Sequence, residues 1–353
     1  YLLSAEFAEE SDYWNPCALG DASELQSKFY NANIYHEPFY AKACELGLLE
    51  TFNELSSGDS EKISLIDFQK TLNQFAKTRK NQVMEGLLLD FSSLLESEWK
   101  QVLLPSPSKR EIRLDEIVNN GSVLYVDLPT ESKKVQSARV GRLLTQELML
   151  ISGRRKREPN PTSLPYFSVY VDEFDAFATE SFATFLNKAR SSRFMLHISH
   201  QTLSDLNRIS EDFSGQILGN CNTRFVFRQD DPDDAERWAR FFGTKTITKR
   251  TYQTENGIRT GASSNREVQI FLVSPDTIKN LGVGFFLQSS KLESALSITK
   301  LNYTLQCKPE GHSTSEYTLK KAVVKKRKTI RFKKNEKWIL ISGNSIQNSN
   351  EAK

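Results

Sequence analysis

A chain of 353 residues, 38% of them hydrophobic and 26% charged, is long enough for two domains with a sizeable core. It contains no run of eighteen apolar residues and no signal peptide, which excludes a membrane-spanning helix within it. The net charge of +3 is unevenly spread: from Lys320 to Lys337 there are ten Lys or Arg and one acid, Glu336, so this stretch carries +9 and the remainder −6.

The first residue is Tyr1 rather than Met, from which a longer natural chain is expected. Residues 1–17 read as irregular and aromatic, closing on the turn-like Trp14-Asn15-Pro16. Residues 18–108 read as an all-α domain. Apolar side chains recur there at three- and four-residue steps, as in Phe39, Ala43, Leu46 and in Met84, Leu87, Leu88, Phe91, Leu94, Leu95. Pro105 and Pro107 mark a linker at its end.

From about 109 to 310 short apolar strands alternate with amphipathic helices. Strands are predicted at 123–128, 167–171, 194–199, 224–228 and 284–288, with helices at about 135–151 and 182–190. Such alternation predicts an α/β fold with a mostly parallel sheet covered on both faces. Residues 245–268, rich in Thr, Gly, Asn and Ser, read as an exposed hairpin or mobile insertion. Residues 311–353 read as a basic, flexible tail.

The four cysteines, Cys17, Cys44, Cys221 and Cys307, are scattered without a C-x-x-C pair. That pattern speaks against a zinc site and a disulfide framework and fits a reducing compartment. The strongest chemical signal is Phe167 to Glu173, a buried strand ending in two adjacent carboxylates, Asp172 and Glu173. In nucleotide hydrolases the first such acid holds the water shell of Mg²⁺ and the second orients or deprotonates the attacking water. Two acids in an ordinary turn are the plain alternative. The next strand ends near Gln201, whose amide at a neighbouring strand tip could sense a γ-phosphate, or could be a surface glutamine.

Arg190 and Arg193 precede that strand, as arginine-finger candidates or as cations matched to a helix C-terminus. His197 and His200, spaced i, i+3 along a strand and its end, point to opposite faces and make no metal pair. No Gly-Lys dipeptide occurs, so a G-x-x-x-x-G-K-[ST] phosphate loop is absent from these residues.

These residues resemble a known family. Tyr170 to Phe174, Arg190 to Arg193, Ile198 to Leu203, Ile217 to Arg224, Asp233 to Glu236, Phe242-Gly243 and Gly121 to Pro129 are similar to TraD/TraG-type conjugative coupling proteins, within the FtsK/HerA group of RecA-like motors. Tyr13 to Gly20 is similar to the segment that leads into that family's helical domain, with Trp14 as an extra bulk, and Leu281 to Gly284 is an altered version of a later strand motif.

The resemblance implies a RecA-like P-loop NTPase core plus an all-α domain. Residues 1–17 would end the nucleotide-binding segment, 18–108 form the all-α domain, 109–310 carry the Walker B half with a TraM-recognition-like region, and 311–353 form the tail. It implies ATP and Mg²⁺ as cofactors, with Asp172 on the Mg²⁺ side, Glu173 as catalytic carboxylate and Gln201 as phosphate sensor. Arg190, eleven residues before Gln201, would be the finger acting across subunits, with Arg193 its competitor. It further implies a homo-hexamer at the cytoplasmic face of a bacterial inner membrane. Its partners would be single-stranded DNA, relaxase and relaxosome proteins and a type IV secretion channel. The phosphate loop and membrane anchor would lie upstream of Tyr1. Lys325, Lys326, Arg327, Lys328, Lys333 and Lys334 are the candidate DNA or partner contacts. A non-catalytic relaxosome-docking module and a FtsK/HerA-like DNA translocase outside conjugation are the alternative readings. An upstream phosphate loop separates the motor from the module, and the helical insertion favours the conjugative branch.

Overall fold

The computed structural model describes residues 1–35, 37–57, 63–79, 82–210, 212–255, 257–291, 295–300, 329–331 and 339–341. They divide into two compact units, Tyr1–Asn220 and Cys221–Lys353.

The first unit opens with β1 (Leu2–Ser4), then α1 (Ala22–Asn31), α2 (Pro38–Ser57), α3 (Leu65–Arg79), α4 (Gln82–Leu95) and the short α5 (Lys100–Leu103). Asp21 starts α1 with a reciprocal cap: its carboxylate accepts from the Glu24 amide, and the Glu24 carboxylate accepts from the Asp21 amide. Helices α1 to α4 each bring one phenylalanine to a common point. Phe29, Phe52, Phe68 and Phe91 are fully buried, with ring centroids 4.8–5.3 Å apart. Ring packing of this kind, edge-on, tilted and, for Phe52 on Phe68, stacked, adds to the area term that holds the helices together. The face predicted for α2 is corrected: Phe39 is 73% and Leu46 51% exposed, and Cys44, Gly47, Leu48, Thr51 and Phe52 turn inward instead.

After α6 (Leu114–Asn120), closed by Gly121 at φ 70°, come β2 (Tyr125–Asp127), α7 (Lys134–Arg157), β3 (Phe167–Val171), α8 (Glu180–Ala189), β4 (Phe194–Ile198), α9 (Leu203–Asn207) and α10 (Phe213–Asn220). The predicted strands and helices of this stretch are present, β3 to the residue and the others with shifted ends. The parallel prediction holds for β1 with β2 and for β3 with β4, which form two separate two-stranded sheets. β1 itself lies in the stretch read as irregular, because its partner is more than 120 residues away.

Helix α7 joins the two parts of this unit. Lys28 of α1 and Glu147 of α7 form an ion pair at 2.9 Å with side chains 1% and 3% exposed. The Trp14 indole donates to the other Glu147 oxygen at 3.2 Å, and Lys28 Nζ also donates to the Leu19 carbonyl at 3.0 Å. Arg139 pairs with Asp90 of α4 at 2.8 Å, and Arg142 donates to the Ala32 carbonyl at the end of α1.

The second unit contains β5 (Thr223–Val226), α11 (Pro232–Phe242), β6 (Thr244–Glu255), β7 (Ile258–Phe271), α12 (Pro275–Lys279), β8 (Phe285–Ser290), β9 (Ala295–Lys300), β10 (Thr329–Arg331) and β11 (Ile339–Ile341). Here the pairing departs from the parallel expectation. β5 pairs antiparallel with β8, and the order β11-β10-β9-β8-β5 is a five-stranded antiparallel sheet. β10 and β11 fall within the segment read as a flexible tail. The segment 245–268 is a hairpin: β6 and β7 pair antiparallel, with Gly257 at φ 81° between them. A glycine at positive φ suits the tight turn of such a hairpin.

Candidate nucleotide site at the β3–β4 strand ends

β3 and β4 run parallel in the register Phe167↔Phe194 to Val171↔Ile198, so their carboxyl ends coincide. Ligands of open α/β sheets bind beyond such ends. The chain turns sharply there. Glu173 adopts φ 47°, ψ 46°, the left-handed region, which costs a residue with a Cβ about 1–2 kcal/mol. The next residue supplies the anchor: Phe174 is fully buried, 4.3 Å from the Phe182 ring, and its amide donates to the Ser199 carbonyl at 3.0 Å. Burying Phe174 in the aromatic cluster holds Glu173 in its strained turn and leaves both carboxylates facing solvent.

Asp172 Oδ1 accepts from the Glu173 amide at 3.0 Å and from the Ser199 hydroxyl. That fixes one oxygen and leaves Oδ2 without a bond from the described residues. Glu173 Oε2 accepts from the Thr130 hydroxyl at 2.8 Å. Gln201, exposed, lies two residues past Ser199 at the same end. The three predicted residues Asp172, Glu173 and Gln201 therefore share one end of the β3–β4 pair. Thr130 and Ser199, not read from the sequence, hold the two carboxylates. A third unread residue is Gly141 of α7: a Cβ there would stand 2.9 Å from the Phe177 ring and 3.1 Å from Leu128. Gly141 thus lets α7 approach both loops that carry Thr130 and Glu173.

Arg190 and Arg193 sit at the other end, where β4 begins, about 16 Å away for a five-residue strand. The two differ. Arg193 has φ 64°, donates to the Thr162 carbonyl and lies over the Tyr166 ring at 4.4 Å. The Arg190 side chain is exposed and has no partner among the described residues. The rim around it is cationic. Burial and the nearby Arg193 charge hold Arg155 below the usual arginine range, and burial and Lys188 do the same to Lys156.

One face of the pair is open. Tyr170, 76% exposed, stacks on His197 at 4.4 Å. Among the described residues no group of three or more His, Cys, Asp or Glu is placed to hold a metal ion. The candidate cations Lys325, Lys326, Arg327, Lys328, Lys333 and Lys334 lie outside the described residues.

Residues 167–282, which include both carboxylates and Gln201, match the family described as the TraM recognition site of TraD and TraG. No protein with a curated description matches. Among solved structures, the bacterial conjugative coupling protein TrwB lacking its N-terminal segment, in its unbound form, superposes with a TM-score of 0.66 at 12% identity, covering 86% of this chain and 74% of that one. The plasmid coupling protein TrwB in complex with ADP and Mg²⁺ gives 0.64 at 12%, covering 86% and 73%. VirB4 of Thermoanaerobacter pseudethanolicus gives 0.54 at 11%, covering 86% and 77%. At these identities the likeness establishes the fold alone: a RecA-like α/β architecture with an added helical part. The resemblance to TraD/TraG-type coupling proteins read from the sequence agrees with this family match, which covers residues 167–282, about a third of the chain.

Among the described residues no helix is long and apolar enough to cross a membrane.

Proposed function

We propose that this TraD/TraG-type chain is the C-terminal part of a conjugative coupling protein. In this reading it carries the hydrolytic half of an ATP site and moves single-stranded DNA with its relaxase toward a type IV secretion channel. The observation that carries the proposal is the paired carboxylate at the end of β3, with Glu173 held in a strained turn by Phe174 and beside the tip of β4. Strain kept at a solvent-facing acid is a mark of a functional position.

Asp172 would hold the water shell of Mg²⁺ through its unbonded oxygen. Glu173, oriented by Thr130, would align the attacking water, and Gln201 would contact the γ-phosphate. The phosphate loop would come from outside these 353 residues, which hold no Gly-Lys pair. Arg190, unpartnered on a cationic rim at the far end of β4, suits a site on a neighbouring subunit of a closed ring. Arg193, tied to Thr162 and Tyr166, suits a structural role. TrwB has been crystallised with ADP and Mg²⁺, which supports the cofactor assignment. The TraM-recognition match supports a relaxosome partner, and association with a bacterial inner membrane follows from the same reading.

The test uses the protein joined to its phosphate loop. Glu173→Gln should bind ATP and Mg²⁺ normally while turnover falls at least a hundredfold, the usual scale of general base catalysis. Arg190→Ala should lose at least about tenfold, and mixing it with Glu173→Gln subunits should restore part of the activity. Wild-type turnover in Glu173→Gln refutes the site. Failure of the mixture to recover refutes action across subunits.

A further inference from the structure

The hairpin β6–β7 has strands of 12 and 14 residues, and much of it buries little. Thr248, Lys249, Arg250, Thr251 and Tyr252 on one strand and residues 263–267 on the other are exposed whichever face they occupy. A two-stranded ribbon without a core is marginal by itself. Its side chains are therefore not dictated by packing, and their charges invite a separate explanation.

The two faces differ in charge. Strand alternation and the register place Lys249 directly opposite Arg266, flanked by Thr251↔Ser264 toward the tip and Ile247↔Val268 and Lys245↔Ile270 toward the base. Two cations on facing positions have Cβ atoms about 5 Å apart and destabilise the ribbon. Neither Lys249 nor Arg266 has a carboxylate partner among the described residues. Glu267 belongs to the opposite face, opposite Thr248. That face also carries Arg250, which already donates to the Ser263 hydroxyl at 2.9 Å and lies 5.2 Å from the Tyr252 ring. One face is thus internally satisfied, and the other presents an unrelieved cationic pair flanked by hydroxyls, with Lys245 about 13 Å further down the strand.

We propose that the Lys249/Arg266 face of this ribbon is a nucleic-acid backbone contact, gripping the phosphates of single-stranded DNA without reading sequence. The proposal rests on the DNA-moving function above and names the surface that performs it. A phosphate seated between Lys249 and Arg266 turns their repulsion into two charge-assisted bonds, and Thr251 and Ser264 can donate to the same oxygens. Among the described residues, the exposed part of this face, Lys249, Thr251, Ser264 and Arg266, holds no apolar side chain for insertion into a lipid surface, which favours a strand of phosphates over a membrane.

The experiment is fluorescence anisotropy of a labelled poly-dT oligonucleotide with the 353-residue chain, titrated across salt concentrations, with anionic phosphatidylserine vesicles in parallel. Each single-strand phosphate contact contributes about 0.7 to the log–log salt slope. Lys249→Ala/Arg266→Ala should therefore bind more weakly with a slope flatter by about 1.4. Arg250→Ala should change the slope little. Arg266→Glu, which places an acid opposite Lys249, should lose DNA affinity while melting no lower than wild type. That separates a binding role from a folding one.

An unchanged slope in the double variant, against a wild type that binds, overturns the ribbon and spares the wider function. A wild type that does not bind poly-dT overturns both. Loss of vesicle binding with DNA binding intact overturns the assignment in favour of a membrane contact.

Discussion

Replacing Glu147 by Leu is the sharpest test of how the helical part is joined to the rest of its unit. The carboxylate is 97% buried and receives two partners, Lys28 Nζ at 2.9 Å and the Trp14 indole at 3.2 Å. Removing it leaves an ammonium group with only the Leu19 carbonyl at 3.0 Å, in a site without water access. Breaking a buried pair on one side costs about 3–5 kcal/mol, because the remaining charge stays desolvated. That is a large part of a typical domain stability of about 5–15 kcal/mol.

Removing both charges, in Lys28→Met/Glu147→Leu, should return most of this and leave about 1–3 kcal/mol for the indole N–H without an acceptor. Urea unfolding followed by tryptophan fluorescence gives the stabilities of the set. Cys17 supplies a local readout. Burial raises its thiol to about 12, with Lys28 pulling it down and Glu147 pushing it up. In a chain with Cys44, Cys221 and Cys307 replaced by Ser, Cys17 should resist a thiol reagent in the wild type. It should react readily in Glu147→Leu, both because the segment opens and because Lys28 then acts on it unopposed. A cost below about 1 kcal/mol in Glu147→Leu, with Cys17 still protected, refutes the buried-charge account.

Two further predictions concern the strand-end turn. Glu173→Gly should raise stability by up to about 1 kcal/mol, since glycine occupies the left-handed region without the Cβ penalty, while turnover is abolished; a lowered melting temperature contradicts the strain reading. Gly141→Ala should destabilise by about 1–3 kcal/mol, because the new Cβ meets the Phe177 ring at 2.9 Å, and should also lower turnover through the displaced Thr130 and Glu173 loops. Thermal melts and steady-state hydrolysis measure both, and an alanine that leaves both unchanged removes Gly141 from the account.

What the sequence made readable follows from which interactions are local. β3 could be placed to the residue because the run Phe-Ser-Val-Tyr-Val ends abruptly in two acids, although the strand read as buried proves half-buried, with Tyr170 exposed. The segment 245–268 was readable as one of two options, an exposed hairpin or a mobile insertion, because it is rich in Thr, Gly, Asn and Ser. α2 was readable as a helix, but its inward face was not. It carries apolar residues on more than one side, so periodicity alone does not choose Phe52 over Phe39; the choice is made by Phe29 and Phe68 from other helices.

The same limit explains the sheet. Strand–helix alternation predicts parallel neighbours when one helix returns the chain. Between β5 and β8 lie α11, the long hairpin and α12, and the pairing becomes antiparallel. No window of sequence contains that outcome. At the candidate site, the acids are visible because two adjacent carboxylates closing a strand stand out by residue type and position. Thr130 is not, since its bond to Glu173 spans 43 residues and any hydroxyl in the loop after β2 looks alike. Gly141 is hidden for a related reason: a glycine inside a helix reads as a small propensity penalty until the ring of Phe177 is known to lie against it. Paired acids at a strand end are thus found by type and position. The residues that hold them are found only once the distant segments they join are in place.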